Sequence, residues 1–185
     1  MIETAHTHVC LLRGINVSGR RPIRMADLRA LFESIGFAGV ETYLQSGNVV
    51  FQCGRGSESS LASKVKRAIE ERFALDVPVI VREKSRFLKV RGLNPLLRVE
   101  GIDEEKLHVT FLSHEPAAAD LDWLGSLETS PERLAVLGDC VYLYCPNGYR
   151  RTKLSNSFLE RRLGTAATTR NWRTVNAIHE MLSAR

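Results

Sequence analysis

The feature that most constrains this chain is that it reads twice. His8-Val9-Cys10-Leu11-Leu12 returns as His108-Val109-Thr110-Phe111-Leu112, and each apolar run empties into a polar loop and then a helical pattern. In the first half Met25, Leu28, Leu31, Phe32 and Ile35 recur at helical spacing before a stop at Gly36. Residues 40–45 and 49–52 read as strands around Ser46-Gly47-Asn48, with Asn48 suited to a left-handed turn position. A serine-capped helix carrying Leu61, Val65, Ala68, Ile69 and Phe73 follows. Residues 77–81 then form a short strand in which Pro78 marks a strand start or a sheet edge.

The second half repeats the order. A short helix over 117–127 separates the His108 strand from a hairpin over 134–144 that turns at Gly138-Asp139. A helix with Leu154, Phe158, Leu159 and Leu163 stops at Gly164, a final strand spans 166–172, and Thr174 is placed to cap a closing helix. The reading is an α+β protein built by internal duplication of two ferredoxin-like (βαββαβ) halves with antiparallel sheets. The expected boundaries are 1–83 for the N-terminal half, 84–105 for a connector with one short helix, and 106–185 for the C-terminal half with its closing helix. With 185 residues and 44% hydrophobic content, two such halves can bury a full core.

The topology brings residues together. Right-handed crossovers place the exit of the first strand beside the hairpin of the second, so Arg13, Gly14 and Asn16 are expected next to Ser46, Gly47 and Asn48. In the C-terminal half the exits of the third and fourth strands share an edge, which sets Pro146 to Lys153 against Thr168 to Trp172, with Arg170 and Asn171 among them. Strand ends that deliver Arg, Asn, Ser and Lys into glycine-punctuated loops are suited to an anion, because glycine lets backbone N–H groups approach it. The net charge of +5 agrees with an anionic partner, and its distribution is uneven. Arg13, Arg20, Arg21 and Arg24 crowd the first loop, while Arg150, Arg151, Lys153, Arg161, Arg162, Arg170 and Arg173 load the last third.

Four stretches in order, Arg13 to Val17, Ser46 to Val49, Gly148 to Leu154 and Thr169 to Val175, resemble the bacterial family called domain of unknown function 1697. The resemblance covers nearly the whole chain and implies a compact duplicated α+β protein without an established activity. Two departures stand out: Ser18-Gly19 replaces a Gly-Gly pair, and Thr152-Lys153 replaces Ser-Lys.

Plainer roles compete with each site residue. Gly14, Gly47 and Gly148 serve turns, and Trp172 serves a core. Arg13 and Arg170 each end an apolar strand, where a guanidinium needs either an acidic side chain, with Asp139 and Glu115 the candidates, or a ligand anion. The four cysteines form no C-x-x-C pair and read as buried reduced thiols, so no metal site is expected. No apolar run approaches a membrane span and the N-terminus lacks the form of a signal peptide, which gives a cytoplasmic expectation and no membrane partner.

Two functional readings stand. The first is a binding module for a phosphate-bearing ligand, an anionic small molecule such as a nucleotide or RNA, held by Arg13, Gly14, Asn16, Ser46, Gly47, Asn48, Lys153, Arg170 and Asn171. The second is an enzyme acting on a small anionic metabolite between the halves, beside the plain alternative that the arginine clusters are structural. No nucleophile elbow, zinc motif, Walker loop or dinucleotide fingerprint occurs, so the sequence names neither catalytic residues nor a cofactor. It leaves the oligomeric state open.

Overall fold

The repeated order builds two separate four-stranded sheets. In this computed structural model residues 5–17, 19 and 21–185 are described. Met1 to Thr4 lie outside the described residues, as do Ser18 and Arg20 of the first loop. Two units follow from the packing: Met1–Leu88 together with Ile178–Arg185, and Lys89–Ala177.

The first unit contains β1 (His6–Leu12), α1 (Met25–Ser34), β2 (Ala38–Tyr43), β3 (Asn48–Cys53), α2 (Glu58–Phe73) and β4 (Val79–Glu83). Its sheet runs β2-β3-β1-β4 with antiparallel neighbours, the ferredoxin-like arrangement. Pro78 immediately precedes β4, which is an edge strand, so the missing N–H interrupts no ladder. Leu28 and Phe32 of α1 and Leu61, Val65 and Ile69 of α2 bury with Cys10, Leu12, Val49 and Phe51 of the sheet. Phe51 anchors this core by stacking on Phe37 at 4.4 Å and meeting Phe32 edge-on at 5.5 Å. Each such side chain contributes about 1.5–3 kcal/mol by leaving water.

The β2–β3 turn differs from expectation. Leu44 and Gly47, with φ of 56° and 73°, take the left-handed conformations, whereas Asn48 is already the first residue of β3. From that position its amide donates to Tyr43 O and Ser46 Oγ, both at 2.9 Å, and so holds the turn closed from the strand side.

The segment expected as a connector with one short helix holds α3 (Lys84–Leu93) and two 3-10 turns, Pro95–Arg98 and Glu104–Lys106. The helix stops before Asn94-Pro95, where proline disfavours helical backbone in the preceding residue. Asn94 then caps the 3-10 turn by accepting from Leu96 N–H.

The second unit contains β5 (Leu107–Leu112), α4 (Ala118–Gly125), β6 (Arg133–Leu137), β7 (Cys140–Tyr144), α5 (Asn156–Leu163), β8 (Ala167–Asn171) and the first half of α6 (Trp172–Ser183). Its sheet order, β6-β7-β5-β8, repeats that of the first unit. Leu124, Leu159 and Leu163 pack on Leu112, Val141 and Leu143, and Gly164 ends α5 with a left-handed φ of 60°. β8 runs into α6 without a loop, so Trp172 begins a helix rather than ending a strand. The cap is accordingly Asn171, whose Oδ1 accepts from Thr174 N–H at 2.8 Å, and not Thr174. Among the described residues no helix is long and apolar enough to cross a membrane.

Candidate functional site

At the N-terminal edge the expected neighbours meet. The Leu12 N–H donates to Gly47 O at 2.8 Å, and a Cβ on Gly47 would lie 2.6 Å from Leu12 Cβ and 2.9 Å from Ile15 Cδ1. Only glycine combines that close approach with its left-handed φ. Asn16, itself left-handed at φ 54°, donates to Ile23 O at 2.8 Å and Gln45 O at 2.9 Å and accepts from Ile23 N–H at 2.9 Å. Its amide thus ties the first loop to the hairpin. Arg13 is half-buried, its N–H donates to Pro78 O, and its carbonyl accepts from Arg21 Nη1 at 3.4 Å. Gly14 is exposed with φ 69°.

The C-terminal edge centres on a hydroxyl cluster. Thr169 Oγ1 donates to Asn156 Oδ1 at 2.7 Å and hydrogen-bonds the hydroxyls of Thr110 at 2.7 Å and Tyr149 at 2.9 Å, which brings the β7–α5 loop against β8. Tyr149 stacks on His108 at 5.0 Å. Burial lowers the pKa of His108 and likewise of His8, each partly offset by a backbone carbonyl two residues earlier. Arg170 is buried, and its Nη1 donates to Thr168 Oγ1 at 2.8 Å and Thr169 O at 2.9 Å.

Arg82 is a buried residue that sequence patterning does not mark. It faces Val9 across β1–β4 as Arg170 faces Val109 across β5–β8, so the repeat buries a guanidinium at the same register in both sheets. Arg82 lies 3.6 Å from Glu58 Oε2, and the same carboxylate binds Arg86 and accepts from Glu83 N–H at 2.7 Å. The only sequence signal was a charged residue ending the apolar run Val79-Ile80-Val81.

Lys153 lies elsewhere, on a cavity of about 520 Å³ within the second unit. Leu127, Pro131, Leu154 and Phe158 give it apolar surface, and Arg151, Lys153 and Asn147 supply donors. The remaining wall is the 128–132 loop with Glu128 and Glu132. These carboxylates are oriented from within: Glu128 Oε1 accepts from Ser130 N–H at 3.1 Å, and Glu132 Oε2 accepts from the Thr152 hydroxyl at 2.8 Å. Among the described residues neither Arg151 nor Lys153 enters an ion pair with them. Arg170 and Asn171 do not line this cavity. Beside it, burial pushes the Cys145 thiol up to about 11, with the Glu132 charge adding to the shift. The four cysteines are free, and among the described residues no cluster of His, Cys, Asp and Glu could hold a metal ion.

Residues 5–142 match the family described as Protein of unknown function (DUF1697). The chain belongs to this family. A solved structure, that of conserved bacterial protein SP0830 from Streptococcus pneumoniae, is similar with a TM-score of 0.75 and 24% identity, covering 97% of this chain and 99% of that one. At that identity the likeness concerns the fold. No curated protein matches the chain. The residues matched to DUF1697 stop short of Asn147, Arg151 and Lys153. Thr152, the departure from Ser-Lys, uses its hydroxyl in two bonds, donating to Glu132 and accepting from Leu154 N–H at 2.9 Å.

Proposed function

We propose that this DUF1697 protein binds a phosphate-bearing small ligand, of nucleotide size, in the cavity of its second unit. The observation that supports this most is the pairing of Arg151 and Lys153, free of ion pairs among the described residues, with an apolar surface of Leu127, Leu154 and Phe158. Cations without an internal partner favour an anion, and a cavity of about 520 Å³ is within the ~300–1,000 Å³ typical of small-molecule sites. In this reading Lys153, Arg151 and Asn147 contact the ligand. Asn16, Gly47 and Asn48 close the first loop and hairpin instead, a role supported by their internal hydrogen bonds and close packing. Arg13, Gly14, Ser46, Arg170 and Asn171 shape the two strand edges.

A thermal-shift screen of nucleotides, short RNAs and phosphorylated metabolites tests the proposal. A ligand that binds only the folded state raises the midpoint by mass action. The expected result is a rise with a mononucleotide in the parent that disappears in Arg151→Ala and Lys153→Ala variants of unchanged ligand-free midpoint. A shift that survives in both variants overturns it.

A further inference from the structure

Arg151 and Lys153 share their cavity with Glu128 and Glu132, so its formal charges cancel. Resting on the reading that a phosphate-bearing ligand binds here, we infer that the ligand is a nucleoside monophosphate whose base presents paired N–H donors, as guanine does. The two cations match the charge of one phosphate. Further phosphates would bring more negative charge toward Glu128 and Glu132 with no further cation in the lining to meet it, and repulsion would oppose them. The carboxylates ask for something different. An ionised carboxylate only accepts hydrogen bonds and can take two donors side by side. Glu128 is held as an acceptor by Ser130 N–H through one lone pair of Oε1, which leaves a second lone pair there and both on Oε2 for a donor edge. Between the two polar ends, Leu127, Leu154 and Phe158 offer a surface on which a planar ring is buried or stacked. Guanine offers adjacent ring and exocyclic N–H donors, whereas uracil offers one N–H between two carbonyl acceptors that a carboxylate repels. A polyanionic RNA strand fits this balanced lining less well than one nucleotide.

Calorimetric titration of the full chain with guanosine monophosphate, uridine monophosphate and guanosine triphosphate separates the possibilities. The expected result is guanosine monophosphate binding at least about tenfold more tightly than uridine monophosphate, one charge-assisted hydrogen bond's worth. The triphosphate binds no more tightly than the monophosphate. In Glu128→Gln the preference for guanine over uracil collapses while uridine monophosphate still binds. Equal affinity for the two bases, a tighter triphosphate, or a preference unchanged in Glu128→Gln overturns the inference and leaves the anion site standing. Failure of all three nucleotides to bind the parent overturns the underlying reading instead.

Discussion

The two halves bury an arginine at the same register and differ in the residue that opens the helix packed against that strand. In the first half Glu58, one residue after the cap of α2, gathers Arg82, Arg86 and the Glu83 N–H onto one carboxylate. The residue one past the cap of α5 is Asn156, which is uncharged and accepts from Thr169. The loops differ too. β3 reaches α2 through 54–57, whereas β7 reaches α5 through 145–155, and the longer loop contributes Asn147, Arg151 and Lys153 to the cavity. The first half instead has its long loop after β1, tied down by Asn16. Duplication kept the sheets and released the loops, one copy using its extra length to close on itself and the other to wall a cavity.

The sharpest way to break this comparison is through its glycines. Gly47→Ala is expected to destabilise the fold by about 2–4 kcal/mol, since the new Cβ meets Leu12 and Ile15 in a left-handed backbone. Gly164→Ala in the second half, a left-handed helix end at φ 60° with nothing within 4 Å, should cost only about 1 kcal/mol of backbone strain. Urea denaturation of the two variants measures both, and equal losses would deny that the first hairpin is the tighter junction. The first residues of the two helices come next. Glu58→Ala, which strips a carboxylate from the buried Arg82, should lower stability by about 2–3 kcal/mol, and Asn156→Ala by about 1 kcal/mol. Losses in the reverse order would show that Glu58 is not the more stabilising of the two helix-opening residues.

The smallest effect is one the halves share. Burial lowers the pKa of His8 and His108 from 6.5, so below that pH the unfolded chain takes up protons that the folded one resists. Stability is therefore full at neutral pH and declines as pH falls through 6.5 toward the lowered folded values. Denaturation midpoints measured across that range should show the decline, flattened in a His8→Gln/His108→Gln variant; an identical slope in that variant would place its origin elsewhere.

Much of this fold was legible because its signals are local. Apolar spacing marked α1, α2 and α5, and the return of the His-Val strand marked the second half. The meeting of Arg13 to Asn16 with the Ser46 hairpin followed from crossover handedness. What escaped depends on distance or on a junction. Arg82 and Glu58 are far apart in sequence, so nothing near Arg82 announced its partner. Asn171 and Thr174 are both good caps, and choosing between them requires knowing that β8 enters α6 without a loop. The apolar spacing over 117–127 marked α4 and stopped short of the 128–132 turn. It did not reveal that the turn faces Arg151 and Lys153 across a cavity, because that depends on how the 145–155 loop packs.

The central claim, that ligand binding belongs to the second half, is tested most directly by calorimetry with the mononucleotide that gives the largest thermal shift. The titration compares the parent with Arg13→Ala and with the Arg151→Ala/Lys153→Ala double variant, at low and high salt. The account predicts at least about a tenfold loss of affinity in the double variant, a weaker salt dependence there, and parent-like binding in Arg13→Ala. Parent-like binding in the double variant together with loss in Arg13→Ala would contradict it and move the site to the first half.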